Sequence, residues 1–138
     1  MGFENIVVGY DDSPEAQRAL ETAAELAERL SARLVVTSVA PVLAGATRVG
    51  GIDPSDPPEK HREELVKARA MLADRKLDAD FVPAVGDPAD AIVELVKERS
   101  ADLVVVGPHE QGLLERLTGT SVSASLARSA PSSVLLVR

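Results

Sequence analysis

Apolar residues along this chain fall into two alternating patterns. Short uninterrupted runs, Ile6-Val7-Val8-Gly9, Leu34-Val35-Val36-Thr37-Ser38-Val39, Phe81-Val82-Pro83-Ala84-Val85, Asp102-Leu103-Val104-Val105-Val106 and Val134-Leu135-Leu136-Val137, read as strands. A strand covered on one face alternates apolar and polar positions, whereas these runs fit strands buried on both faces. Between them the spacing changes to that of helices. From Pro14 to Leu30, Ala16, Leu20, Ala23, Ala27 and Leu30 share a stripe, and charged residues occupy the other faces. Ser13 before Pro14 is a cap followed by a first-turn proline. A second helix, from about Glu59 to Arg75, turns Leu65, Ala68 and Leu72 inward. Asp87-Pro88-Ala89-Asp90 opens a third, with a cap, a proline and an acid on the first turn. A fourth runs from about Val122 to Ser129.

Strands alternating with helices predict an α/β fold: one domain over residues 1–138, with a doubly wound parallel sheet covered by helices on both faces. Pro83 lacks the N–H that an inner strand needs, which sends the third strand to an edge. The expected spatial order of the five strands is 3-2-1-4-5. Ligands of such sheets sit beyond the carboxyl ends of the strands, where the order reverses. That point lies between strands one and four, at Gly9–Asp11 and Gly107–Gln111. Residues 40–57 lose all periodicity and form a loop long enough to suggest function or mobility.

Composition narrows the chemistry. The 138 residues carry a formal charge of −7 and only 2% aromatics, which argues against nucleic acid as a partner. There is no cysteine, so thiolate chemistry and disulfides are excluded. The two histidines, His61 and His109, form no metal-ligand spacing. No apolar run approaches the ~20 residues of a membrane span, and the start of the chain has no leader pattern; a cytoplasmic protein is expected. Gly45 and Gly50 have the gap of a phosphate-binding loop, but Gly51-Ile52 stands where lysine and a hydroxyl are required. No serine elbow or paired histidine points to an enzyme.

The last third carries the strongest chemical hint. A strand ends at Gly107-Pro108-His109-Glu110-Gln111-Gly112, and the chain then reaches Ser121-Val122-Ser123 at the mouth of a helix. Free N–H groups and the positive end of the helix dipole favour an anion there. Together with Ile6-Val7-Val8-Gly9-Tyr10-Asp11-Asp12-Ser13, Gly86-Asp87-Pro88-Ala89-Asp90-Ala91-Ile92, Ala101-Asp102-Leu103-Val104-Val105-Val106-Gly107 and Ala130-Pro131-Ser132-Ser133-Val134-Leu135-Leu136-Val137-Arg138, this tract resembles the universal stress protein family over nearly the whole chain. The resemblance implies a Rossmann-like three-layer α/β/α sandwich of the adenine nucleotide alpha hydrolase type. It also implies a stress-response module that senses an adenine nucleotide, ATP or AMP, with magnesium as a companion of ATP.

Two departures from the family's nucleotide signature stand out. In nucleotide-binding members a glycine is followed after two residues by a second, and after nine more by a third with a hydroxyl. Here Gly107 holds the first place, Glu110 and Thr120 the next two, and Ser121 the hydroxyl. Glycine at such places lets backbone approach a phosphate with no Cβ in the way. Glu110 also sets a carboxylate beside a polyphosphate, a repulsion of a few kcal/mol at about 4–6 Å in an intermediate dielectric. Weakened triphosphate binding is expected unless magnesium bridges the two. Asp12 likewise replaces the glycine of the family's Asp-Gly-Ser turn.

The expected crevice is lined by Gly9, Tyr10, Asp11, Val39, Val106, Gly107, His109, Glu110, Ser121, Val122 and Ser123. Several of these have a second reading. Asp11 either faces the ligand or caps its own turn. His109 either lines the crevice or is a solvated loop residue, and Ser121 or Ser123 also serves as helix cap. His61 and the acids of the first two helices read as surface. No residue reads as catalytic, so a binding module is favoured over a slow ATPase, with a ligand-free interaction protein as the alternative. The last strand has no proline and no charge before Arg138, so its edge is open to pairing. A homodimer through Val134, Leu135, Leu136 and Val137 is expected, with an unknown protein partner as a further option.

Overall fold

Val7 and Val8 lie at the centre of the molecule because the strand that carries them is paired on both sides. Val7 stands between Val35 and Val104, and Val8 between Val36 and Val105. The computed structural model describes residues 2–40, 58–108 and 122–138. Within them five strands, β1 (Asn5–Gly9), β2 (Arg33–Ala40), β3 (Ala79–Val85), β4 (Leu103–Val106) and β5 (Ser133–Leu136), form one parallel sheet. The order is β3-β2-β1-β4-β5. The strands are joined through α1 (Pro14–Leu30), α2 (Pro58–Met71), α3 (Pro88–Arg99) and α4 (Val122–Ser129).

Alternate residues of each inner strand enter different layers. Ile6, Val8, Leu34, Val36, Leu103 and Val105 pack with α1 and α2. Val7, Val35, Val104 and Val106 pack with α3 and with Leu126 of α4. Both faces are therefore apolar, which is why the strands read as unbroken runs. Aromatics are nearly absent, and the α1 face of the core is built on Ala16, Ala19, Leu20, Ala23, Ala24 and Ala27. Pro83 pairs opposite Ser38 on β3, an edge strand as its missing donor requires.

Local signals act where the sequence places them. The Ser13 hydroxyl accepts from the Ala16 N–H at 3.1 Å, and the Asp87 carboxylate from the Asp90 N–H at 3.0 Å, each capping a helix whose next residue is proline. Structure and expectation part most clearly at two boundaries and one side chain. α2 stops at Met71, short of the expected Arg75, and residues 72–75 continue as turns, with Arg75 N–H bonded to Leu72 O. β3 begins at Ala79, two residues before the expected start. Leu30, expected in the buried stripe, is 43% exposed. It is the last residue of α1, and Ser31 turns the chain away in the left-handed region.

Candidate functional site

The crossovers through α1 and α2 cover one face and those through α3 and α4 the other, so strand order reverses between β1 and β4. At that switch point β1 ends on Gly9, and Gly107 follows β4 directly. A Cβ at Gly9 would touch Ile92 Cδ1 and Val106 Cγ1 at 3.5 Å, an ordinary contact. A Cβ at Gly107 would lie 2.9 Å from the carbonyl carbon and oxygen of Glu15. The loop leaving β4 thus runs directly against the first turn of α1. Val106 is buried, Val39 half-buried, and both pack on the α3–α4 side. Val122 and Ser123 open α4, whereas His109, Glu110 and Ser121 lie outside the described residues.

Beyond Gly9 the chain turns within three residues, each with a separate task. Tyr10 N–H donates to Thr37 O at 2.9 Å, extending the pairing of β1 with β2. Its ring is 3% exposed within the α1–α2 core, and its hydroxyl donates to Asp12 Oδ1 at 2.8 Å, beside Met71 Sδ at 3.5 Å. Burial pushes the phenol above its ordinary range, with further lift from the Asp12 bond and charge. Asp11 Oδ1 accepts the Ser13 N–H at 3.1 Å, so the turn-capping role is realised.

Asp12 has φ of 63°, the left-handed conformation that glycine adopts without penalty. Its two oxygens are taken separately, Oδ1 by Tyr10 and Oδ2 by Lys67 Nζ at 2.8 Å. The Lys67 bond foremost, then the Tyr10 bond, hold its carboxyl below the ordinary range, against a smaller opposing effect of burial. Lys67 comes from α2 and was not foreseen at this turn. Nothing in local sequence connects it to Asp12; the fold does.

The surface reading of His61 is overturned. The ring is 5% exposed, packed with Ser38 and Glu64, both buried as well. Ser38 Oγ lies 2.6 Å from His61 Nδ1, Glu64 Oε1 lies 2.8 Å from the same nitrogen, and Ser38 donates to Glu64 Oε1 at 3.2 Å. The available signal was spacing: positions 61, 64, 65, 68 and 72 form one inward stripe, whose first turn is polar because it meets Ser38 of β2. A hydrolytic relay needs serine and carboxylate on opposite ring nitrogens. Here both converge on one, so the cluster fastens a helix to a strand. Among the described residues no group of three or more His, Asp and Glu is placed to hold a metal ion. No helix among them is long and apolar enough to cross a membrane.

At the opposite, amino end of the sheet Phe3, Asp102, Pro131 and Ser132 border an open hollow of about 750 Å³. Asp102 is committed there to the N–H groups of Glu4 and Asn5, at 2.9 and 3.1 Å.

The sequence model of the universal stress protein family matches residues 2–138. The chain belongs to the universal stress protein family. A universal stress protein of Mycobacterium tuberculosis is 33% identical, over 98% of this chain and 96% of its own length. One from Thermus aquaticus is 31% identical, over 99% of each. Among solved structures, a universal stress protein crystallised in complex with cAMP superposes with a TM-score of 0.73 at 28% identity. That match covers 100% of this chain and 99% of the other. In these relatives' company, the five-stranded order and single α/β domain are those of the family.

Proposed function

We propose that this universal stress protein is a cytoplasmic stress-response binding module that holds an adenine nucleotide in the crevice between β1 and β4. The observation that carries the reading is the placing of Gly9 and Gly107 at the carboxyl ends of adjacent β1 and β4, the switch point where parallel sheets take their ligands. The relative in complex with cAMP supports it. Asp11 and the backbone at Gly107 would face the base and ribose, with Ser121, Val122 and Ser123 on the phosphate. His109 and Val39 would complete the lining. The charges favour a ligand with few phosphates: by its place in the sequence Glu110 would add a carboxylate near the phosphate end, and the Lys67 charge is already matched by Asp12. AMP or cAMP should bind more tightly than ATP, with or without magnesium. Binding is favoured over catalysis because Asp11 is engaged in its own turn.

Two measurements test this. Acid extracts of freshly purified protein, read by mass spectrometry, should contain an adenine nucleotide. Calorimetry should rank AMP and cAMP above magnesium–ATP, and replacing Glu110 and Thr120 together by glycine should strengthen ATP binding. An empty extract and no heat with any of the three would leave the interaction-protein reading in place. Unchanged ATP affinity in the double variant would show that Glu110 does not face the phosphates. A homodimer through β5 is proposed alongside, because Leu135 and Leu136 on that edge are 36% and 37% exposed.

A further inference from the structure

We propose that Asp12 is a positioning residue of the crevice, locked through Tyr10 and Lys67 to α2, so that the turn after β1 and helix α2 behave as one unit. The proposal rests on the nucleotide reading of the crevice. It starts from an expense that a glycine would avoid: a β-carbon held at φ of 63°. Both oxygens of that side chain are then used, one on the buried Tyr10 hydroxyl and one on Lys67. The conformation aims the carboxylate back across the turn toward α2, while Asp11 Oδ1 holds the Ser13 N–H at its other end.

The far side of the lock is itself anchored. One inward stripe of α2 carries His61 and Glu64, fixed to Ser38 of β2, then Leu65 and Ala68 in the core, then Met71 against the Tyr10 hydroxyl. Every buried polar side-chain atom among the described residues has a partner, and a network so satisfied favours a single arrangement over slippage. Lys67 rides on that helix and is therefore presented to Asp12 from a fixed base, although it is itself mostly exposed. Ser38 precedes Val39, one of the expected lining residues, so the same anchor also holds the β2 side of the crevice.

The chain offers its own reporter. Tyr10 is the one tyrosine and there is no tryptophan, so tyrosine emission reads this lock alone. A carboxylate that accepts the phenolic proton quenches that emission. Asp12→Gly keeps the left-handed turn without strain but removes both ties. It should brighten Tyr10 and weaken AMP or cAMP binding about fivefold, within the span of couplings carried by residues that do not touch ligand. Its urea midpoint should stay level or rise. Asp12→Asn keeps an acceptor for Tyr10 and tolerates the turn, so it should fall between parent and glycine variant. Lys67→Met should match it, and the two changes together should add little. The deficit of Lys67→Met should shrink at high salt, because an exposed pair is screened. Asp12→Gly binding as tightly as the parent would overturn the proposal. If the parent binds neither nucleotide, the reading of the crevice fails separately, and amide exchange at residues 10–13 decides: faster exchange in Asp12→Gly supports the lock, and unchanged exchange removes it.

Discussion

At Gly107 a methyl group would sit 2.9 Å from backbone atoms of Glu15, which cannot rotate aside as a flexible side chain would. Gly107→Ala should therefore push the first turn of α1 away from β4 and destabilise the fold by about 1–3 kcal/mol, the usual range for overpacking. Urea unfolding measures it, and an unchanged midpoint would mean that α1 yields freely. Asp12 gives a second prediction at this scale. Its carboxyl titrates below the ordinary range when folded, so its contribution is present above the unfolded pKa and is lost as pH falls through the folded one. Stability should decline below about pH 4, and Lys67→Met should flatten that decline because it removes the largest cause. Unfolding curves at neutral pH and in acid compare the two chains. These residues also mark what sequence could convey. The turn was legible as a turn, and capping it was one of the two readings open for Asp11. The tie between Asp12 and Lys67 spans 55 positions and depends on how α2 lies over the sheet, which no local pattern encodes.

Helix ends show the same division between near and far information. Ser13-Pro14 and Asp87-Pro88 announced α1 and α3 to the residue, because a cap acts on neighbours three positions away. The closing ends were less visible. α1 and α3 both finish on serines in the left-handed region, Ser31 at φ 54° and Ser100 at φ 52°. Behind them Ala32 N–H bonds to Ala27 O and Ala101 N–H to Val96 O, each at 2.9 Å, the closure that glycine ordinarily serves. Ser31→Gly and Ser100→Gly should each raise stability by roughly 0.5–1 kcal/mol, as cap optimisation does elsewhere. Calorimetric melting of the two variants checks this; a lower melting temperature would mean that the serine hydroxyls contribute more than the strain removes. α2 was misread for a related reason. Its first turn looks like a charged surface, and only the continuation through Leu65, Ala68 and Leu72 reveals that His61 and Glu64 share the inward stripe.

For the whole molecule, strand order followed from one proline and from the rule of alternating strands and helices, since β3 takes an edge and right-handed crossovers do the rest. The other edge raises the question of assembly. β5 is short and half exposed, with no charge among its four residues. An antiparallel twofold pairing of that edge would bury Leu135 and Leu136 in an isologous contact. Light scattering should give the mass of a dimer for the native chain and of a monomer for Leu136→Lys. A native monomer at micromolar concentration, or a dimer indifferent to the lysine, would remove β5 from the interface.

The alanines of α1 have a consequence for evolution as well as for packing. With Ala16, Ala19, Ala23, Ala24 and Ala27 against the sheet and only Leu20 bulky, the helix settles close enough for the Glu15 carbonyl to rest on Gly107. Those methyl groups act as shims. The gap between the first turn of α1 and the chain leaving β4 at Gly107 is gauged by side-chain volume along the face that α1 turns to the sheet. Selection on what enters the crevice would then act on that face too, and the width of that gap could drift by single carbon atoms while every residue lining it stayed the same.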